Sequence, residues 1–161
     1  METILSQWQR ERPDIDASPM AVCGEIWRAS ERVRQGVLAN VSGYDLDLAG
    51  FDVILTIRRQ GRGETLSPSA LSEEMMLSTS AMTNRLERLE KRGLIARTMD
   101  PNDRRGIKVQ LTDEGFAMAD EIVVSHVETE ESMLSSLTEA ERSKLRSLLT
   151  KIAVPPPTLN H

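Results

Sequence analysis

Short polar side chains and arginines recur at helical spacing between residues 78 and 92. Ser80, Thr83 and Asn84 fall on one face of a predicted helix, and Arg88 follows one turn later. Hydroxyl and amide groups of this size can reach base edges in a major groove, while longer cations reach phosphates. An ordinary amphipathic surface helix has a similar distribution of polar and apolar residues around its axis. The pattern therefore indicates nucleic-acid contact only where other features agree.

Two short helices joined by a turn are predicted to position this face. Ser67 followed by Pro68 is typical of a helix start, because the hydroxyl accepts from an unpaired amide and proline lacks a donor that would have no partner. Ser78 is predicted to cap the second helix, and Gly93 to end it. The apolar side of that helix is predicted to consist of Met82, Leu86 and Leu89.

A two-stranded hairpin with a basic tip is predicted to follow the second helix. Residues 95–99 and 107–111 contain β-branched residues, and turn-forming residues lie between them. Arg104 and Arg105 at the tip can enter a minor groove, where narrow A·T-rich tracts concentrate negative potential. Asp103 would orient one arginine through a bidentate bond. A solvated surface hairpin with an Asp–Arg pair is the alternative interpretation.

The composition limits the class of protein. A chain of 161 residues with 3% aromatic residues is expected to form one mainly helical domain. Its one cysteine and two histidines argue against an intrachain disulfide and a metal site. Without a Gly-rich phosphate loop or a Ser-His-Asp set, we predict no catalytic residues and no cofactor. We find no long apolar run and no signal peptide, and we predict a cytoplasmic chain without membrane contact.

Charge is distributed unevenly along the chain. The net charge is −5, but residues 78–108 contain eight Lys and Arg against four Asp and Glu. Residues 113–141 contain nine acidic residues and no Lys or Arg. A basic segment beside an acidic one is typical of a protein that docks one surface on phosphate, so the overall charge does not argue against DNA.

The stretch from Leu77 to Gly115 resembles the winged helix-turn-helix of the MarR family of bacterial transcriptional regulators. It reads LSxSAxTxRLxRLExRGLIxRxxDPxDRRxxxVxLTxxG, and its most specific part is DPxDRR followed by LTxxG. The resemblance extends over roughly residues 20–152. It implies a mainly α fold with a small β-wing (α+β), in which a winged helix-turn-helix is embedded between N- and C-terminal dimerisation helices.

A single domain, residues 1–161, is expected to divide into five segments. They are an N-terminal extension helix and connector (1–18), a dimerisation or scaffold helix (19–45), the winged helix-turn-helix (46–111), C-terminal dimerisation helices (112–153) and a tail (154–161). Trp8 is interpreted as an anchor for the extension helix. Thr112 is predicted to cap a helix with one apolar stripe that includes Val123 and Val127, and Thr138 opens a capping box before the last helix.

The resemblance implies the role of each candidate site residue. Ser80, Thr83 and Asn84 would read bases. Arg85 and Arg88 would bind phosphate, and Ser69 and Ser72 would contact the DNA backbone. The wing would contribute Arg104 and Arg105, oriented by Asp103, with Arg97 and Lys108 as lesser phosphate contacts.

The terminal helices are too long and apolar for one small winged helix to cover, which predicts a homodimer. A two-fold dimer predicts a pseudo-palindromic operator in double-stranded DNA. The resemblance implies a repressor released by a small aromatic or anionic effector. Residues that could line its cleft are Trp8, Trp27, Arg28, Asp52, Arg58 and Arg59, but their spacing fixes no ligand-binding residues.

Two other functions stay open at this point. Cys23 lies where one branch of the MarR family carries a peroxide-sensing cysteine, although a small buried packing residue is the favoured interpretation. A helical dimer that only docks onto another protein is the alternative from a different class.

Overall fold

The computed structural model describes residues 3–75, 79–100 and 103–153. The two strands within these ranges form one antiparallel hairpin. The predicted fold class, mainly α with a small β-wing, is confirmed. The elements are α1 (Ile4–Glu11), α2 (Ser18–Ser42), α3 (Leu48–Arg58), α4 (Pro68–Glu74), α5 (Thr79–Lys91), β1 (Ile95–Asp100), β2 (Asp103–Leu111), α6 (Asp113–Met133) and α7 (Glu139–Leu149).

Both N-terminal helices begin at hydrogen bonds made by short polar side chains. Thr3 caps α1 by accepting from the amide of Ser6 at 3.2 Å. Ahead of α2, the Asp16 carboxylate accepts from the amide and from the hydroxyl of Ser18, each at 2.9 Å. These bonds satisfy donors that have no partner inside the helix.

The hydrophobic core lies between α3, α5, the hairpin and α6. The predicted apolar side of α5 is confirmed, because Met82, Leu86 and Leu89 are at most 3% exposed. Burial of one such side chain contributes about 1.5–3 kcal/mol, so this face fixes α5 firmly to the body. Its main partners on α3 are Phe51, Val53, Ile54 and Ile57.

The hairpin pairs over a longer stretch than its turn-forming residues indicated. The predicted seven-residue loop is wrong, since only residues 101–102 separate the two strands. The register shifts between the pairs Met99–Ile107 and Asp100–Asp103, which leaves residues 104–106 as an insertion on β2. A bulge of this kind absorbs extra residues without ending the pairing. The arginine pair is therefore part of a strand.

The junction after the hairpin brings the start of α6 close to the end of α5. Thr112 caps α6 by accepting from the amide of Gly115 at 3.0 Å, and its hydroxyl donates to the carbonyl of Gly93 at 2.6 Å. Gly93 itself has φ +71°, the left-handed conformation expected of a glycine after a helix. One threonine thus joins the end of α5, the end of the wing and the start of α6.

Helix α6 is apolar on two sides, so the prediction of one stripe is wrong. Ala119 and Ile122 are completely buried against the body, whereas Val123, Val124 and Val127 are 38–59% exposed. The second side points away from the winged helix. Helix α7 begins with the predicted capping box of Thr138 and buries no residue at all.

The first half of α2 also stands clear of the body. The one buried residue of α2 is Val41, near the end of the helix, and Trp27 in the first half is 77% exposed. Cys23 is exposed as well, so the expectation of a buried packing residue is wrong for this chain. Over the described ranges, no helix combines the length and apolarity that crossing a membrane requires.

Candidate nucleic-acid interface

The outer face of α5 carries the polar residues that the sequence placed there. Short hydroxyl and amide groups occupy its first half and charged groups its second half. A helix of 13 residues is about 20 Å long, which suits insertion into a major groove. The Ser80 side chain lies outside the described residues. The exposed members of this face are Thr83, Asn84, Glu87, Arg88 and Lys91.

The start of α4 presents one of its two candidate serines. Ser67 caps the helix by accepting from the amide of Ala70 at 3.1 Å, as predicted. Ser69 is exposed beside it, with its hydroxyl 2.9 Å from that of Ser67. Ser72 is buried and donates to the carbonyl of Pro68 at 2.9 Å, so it faces the body and not the surface.

The flanking cations of the wing already have acidic partners. Arg97 donates to Glu90 through its Nε at 2.9 Å, and Lys108 lies 3.2 Å from the Asp100 carboxylate. The hydrogen bond from Arg97 holds the pKa of Glu90 below its ordinary value. Either cation can reach a phosphate only by exchanging its carboxylate. That exchange reduces the net gain from each contact.

The tip of the wing is described only through its backbone. The side chains of Asp103, Arg104 and Arg105 lie outside the described residues, although their backbone belongs to β2. Next to them, Met99 is 72% exposed and Ile107 is 44% exposed. The described ends of both strands next to the tip are therefore exposed to solvent.

Arg85 lies differently from its expected place on the outer face. It is half-buried, and its Nη1 atom is buried without a hydrogen bond to any described residue. Its side chain lines a small pocket together with Asp47 and Gly50 at the start of α3. This placement does not support a phosphate contact by Arg85.

Arg88 is exposed but is also engaged within the chain. Its Nη1 donates to Asp47 at 2.7 Å, and the other Asp47 oxygen caps α3 by accepting from the amide of Gly50 at 2.7 Å. Burial tends to raise the pKa of Asp47, but the Gly50 amide and the charge of Arg88 outweigh it, and the pKa lies below its ordinary value. Asp47 is therefore an anionic partner for α5.

A cleft of about 550 Å³ separates α3 from α6. Its apolar wall includes Phe51, Leu55 and Val123, and its polar rim includes Arg58 and Arg59. Three of the six residues proposed for an effector cleft thus line this one: Asp52, Arg58 and Arg59. The other three lie on α1 and α2, away from it: Trp8, Trp27 and Arg28.

The cleft contains two ionisable groups, the exposed Asp52 and the mostly buried His126. Burial raises the pKa of the Asp52 carboxyl above its ordinary value, although the charge of Arg85 partly offsets this effect. His126 stands edge-on to the ring of Phe51, with 4.9 Å between the ring centroids, and its Nδ1 has no hydrogen-bond partner among the described residues. An aromatic anion would find an apolar wall here, but it would have to exchange with Asp120 or Glu74 to reach Arg58 or Arg59, which already pair with these carboxylates.

Comparison with known proteins identifies the family. A model described as the MarR family matches residues 46–107. The HTH-type transcriptional regulator PecS of Dickeya dadantii is 40% identical to this chain over 149 residues, covering 92% of the chain and 90% of PecS. The chain belongs to the MarR family. Another relative, the HTH-type transcriptional repressor MdtR of Bacillus subtilis, is 30% identical over 123 residues, or 76% of the chain and 77% of MdtR.

A solved structure of a relative has the same fold. BpsR of Bordetella bronchiseptica, whose DNA binding is regulated by 6-hydroxynicotinic acid, is 29% identical with a TM-score of 0.71 over 81% of this chain and 91% of BpsR. The MarR-family relatives are transcriptional regulators. The protein is accordingly a DNA-binding transcriptional regulator and not an enzyme.

Sequence reasoning missed the contacts that two arginines of the recognition helix, α5, make with the turn before α3. Arg92 donates to the backbone carbonyls of Tyr44 and Asp45, and Arg88 bonds to Asp47 in the same turn. A signal was present, because Arg85, Arg88 and Arg92 recur at intervals of three and four residues on one side of α5. The acidic and carbonyl partners of Arg88 and Arg92 lie some 40 residues earlier and could not be identified from spacing alone.

Proposed function

We propose that the protein is a homodimeric repressor that binds a pseudo-palindromic operator and is released by a small aromatic or anionic effector. The observation that carries the proposal is a pair of surfaces on one chain. The polar face of α5 is turned outward, while the terminal helices leave their apolar sides uncovered. A regulator of this kind works beside the chromosome, in the cytoplasm of a bacterium.

The uncovered helices support the homodimer. Helices α1 and α7 bury no residue, yet an isolated helix of 8 or 11 residues is marginal in water. Helix α7 exposes Leu145, Leu148 and Leu149 by 42–47%, and α6 adds the outer valines. A second copy supplies the same apolar surface by symmetry, so helices from both ends of two chains can cover each other.

Dimer symmetry determines how the duplex is read. Two copies of α5 related by a two-fold axis reach successive major-groove faces, which are roughly 34 Å apart. In this proposal Ser80, Thr83 and Asn84 contact bases. The wing residues Arg104 and Arg105 contact the adjacent minor groove or its phosphates. Weaker contacts with the DNA backbone come from Ser69, Arg97 and Lys108, whereas Arg88 is held by Asp47.

Two substitutions separate base reading from phosphate binding. Asn84→Ala is expected to lower the preference for the operator over a scrambled duplex by about 1–3 kcal/mol while leaving the salt dependence unchanged. Arg104→Ala is expected to weaken binding to both duplexes and to reduce the slope of log K against log [salt] by about one. Fluorescence anisotropy over a series of salt concentrations measures both quantities.

The control for this pair is the wild-type chain on the same two duplexes, at the same salt concentrations. The operator duplex is the sequence that the wild type enriches from a randomised pool. If Asn84→Ala keeps its preference and Arg104→Ala keeps its slope, the proposed interface is incorrect.

The effector part of the proposal rests on the cleft between α3 and α6. Its apolar wall and its arginines suit an aromatic acid or a phenol, and BpsR responds to 6-hydroxynicotinic acid. Because the cleft joins the winged helix to a helix of the proposed dimer interface, its occupant can change the separation of the two recognition helices. By linkage, a ligand that favours a non-binding separation lowers the affinity for DNA.

A ligand screen tests this part. An aromatic acid that fills the cleft at a hundred times its Kd is expected to stabilise the fold by about 2.7 kcal/mol, and so to raise the melting temperature by several degrees. The same compound is expected to raise the Kd for the operator by about 5- to 150-fold. A panel of aromatic acids and phenols that includes 6-hydroxynicotinic acid is suitable. Compounds that stabilise the protein without changing its DNA affinity would contradict the effector role.

A redox-sensing regulator remains the second candidate because Cys23 is exposed. No described residue donates a hydrogen bond to its sulfur, and a sensor thiolate needs such donors. Mass spectrometry after peroxide treatment, together with DNA titration, distinguishes the two. A sulfenic adduct accompanied by loss of DNA binding would favour the redox function.

A further inference from the structure

The turn between α2 and α3 touches three elements of the fold within four residues. At its start, the hydroxyl of Tyr44 lies 2.8 Å from that of Ser125 on α6. At its end, Asp47 caps α3. In its middle, Leu46 belongs to the same core cluster as Leu89 of α5. The turn formed by residues 44–47 is therefore the place where the scaffold helices meet the recognition helix.

Arg92 holds the backbone of this turn. One guanidinium nitrogen donates to the carbonyl of Tyr44 at 3.2 Å, and the other donates to the carbonyl of Asp45. The Arg92 side chain is 32% exposed, so water only partly screens these bonds. Two carbonyls from consecutive residues are thus fixed to a single side chain near the end of α5.

The backbone conformation at Asp45 indicates that this contact is enforced. Asp45 has φ +54°, and it is the one residue other than glycine with a positive φ among the described residues. A non-glycine residue keeps such a conformation where the surroundings determine it, and this one turns two successive carbonyls toward the same arginine. The Asp45 carboxylate adds little, because it is 99% exposed and 3.9 Å from Arg92.

A second contact lies one helical turn earlier. Arg88 donates to Asp47, whose other oxygen caps α3. Arg88 and Arg92 are four residues apart and so lie on the same side of α5. Two arginines of the recognition helix therefore bind the two ends of one short turn, which resists both tilting and sliding of the helix.

From this geometry we propose that Arg92, with Arg88 beside it, is a positioning residue that fixes the angle of α5 relative to the scaffold helices α2 and α6. Arg92 acts through the Tyr44 and Asp45 carbonyls and does not contact DNA. The inference rests on the proposed function, in which α5 reads bases. It adds that sequence preference depends on a contact between α5 and the turn at residues 44–47, which touches no base.

Positioning and phosphate binding have different signatures in a titration. Loss of a phosphate contact weakens every duplex alike and lowers the salt slope by about one. Loss of positioning leaves the phosphate contacts able to form but misaligns side chains that need accurate geometry at base edges. The second case lowers the preference for the operator and leaves the slope unchanged.

Arg92→Gln in the full chain tests the inference, with Lys91→Gln as the matched control. Both variants remove one positive charge from the end of α5, but Lys91 is exposed on the outer face. We expect Arg92→Gln to lower the ratio of operator to scrambled-duplex affinity at least about tenfold with a salt slope within about half a unit of the wild type. We expect Lys91→Gln to keep the wild-type ratio.

The possible outcomes separate this inference from the proposed function. A wild type without any sequence preference overturns both. A wild type that discriminates, together with an Arg92→Gln variant that discriminates equally well, overturns the positioning role alone. Equal weakening on both duplexes with a lower slope makes Arg92 a phosphate ligand and also overturns it.

Asp47→Asn provides a second variant in case Arg92→Gln fails to fold. Asparagine caps helices as well as aspartate does, so α3 should be preserved while the charge that holds Arg88 is removed. We expect a loss of operator preference of about threefold to tenfold. A parallel gain in affinity for both duplexes would mean that Asp47 merely competes with phosphate for Arg88, and this result would contradict the proposed positioning.

Discussion

Replacing Gly115 with alanine is expected to destabilise the fold by about 3 kcal/mol or more. A Cβ atom at this position would stand 1.9 Å from the carbonyl oxygen of Leu94 and 2.8 Å from its carbonyl carbon. The obstructing atoms are backbone, and Leu94 is itself only 1% exposed. No side-chain rotation relieves the contact, so the start of α6 has to move away from the end of α5.

The cost at Gly115 is high because several bonds depend on the same close approach. Thr112 accepts from the Gly115 amide and donates to the Gly93 carbonyl, and its own amide donates to Leu94 at 3.1 Å. A shift of α6 stretches all of them together. Urea denaturation followed by circular dichroism gives the free energy of unfolding and its change.

Gly43→Ala is the control for this substitution. Gly43 has φ −64°, which alanine adopts readily, and its nearest atom to an added Cβ is the Asn40 carbonyl oxygen at 3.4 Å. That variant is expected to be neutral or more stable by up to about 1 kcal/mol, because alanine reduces the freedom of the unfolded chain. A Gly115→Ala variant as stable as the control would show that the junction between the wing and α6 is looser than described.

The double substitution Leu145→Asp and Leu149→Asp is expected to dissociate the dimer. The two leucines lie one turn apart on α7, line an apolar groove with Leu134 and Leu137, and are 42% and 44% exposed in one chain. A two-fold interface doubles each change, so four leucines are lost and four carboxylates are placed in an apolar surface. If each of the four substituted positions weakens the free energy of dimerisation by at least about 1 kcal/mol, the Kd of the dimer rises about a thousandfold or more.

DNA affinity is expected to fall with the dimer. A single chain binds one half-site of the operator weakly. In the dimer, the second chain is tethered close to the other half-site, which raises the affinity for the whole operator. Sedimentation velocity measures the dimer, and anisotropy on the operator measures the binding.

The matched control for the leucine variant is Ser143→Asp with Ser147→Asp. It adds the same charge at the same spacing to the polar side of α7, where both serines are exposed. This control should remain dimeric. If the leucine variant also remains dimeric and binds the operator as tightly as the wild type, α7 lies outside the interface.

Local sequence chemistry predicted the positions of most elements. Ser67, Thr112 and Thr138 each accept a hydrogen bond from an amide two or three residues into the helix that they begin, and short-range spacing is enough to recognise such a cap. The apolar side of α5 was equally clear, because the period of three and four residues holds over its whole length. These features depend on neighbours within one turn of the chain.

Contacts between distant segments account for what the sequence did not reveal. The period of α6 indicated one apolar stripe, but Val124 and Val127 belong to a second side that only the outline of the body distinguishes. Arg85 looked like a surface cation until α3 was placed beneath it. The partners of Arg88 and Arg92 lie in a turn more than 40 residues earlier. Pairings over such distances depend on packing, which periodicity does not encode.

Selection of duplexes from a randomised pool by the full-length wild type tests the central claim most directly. Sedimentation equilibrium of the complex with the enriched duplex then gives its stoichiometry. The account predicts an inverted repeat whose half-sites are centred about 10 base pairs apart, bound by two copies of the chain. An enriched sequence without two-fold symmetry, a complex with one copy per duplex, or no enrichment at low salt would contradict it.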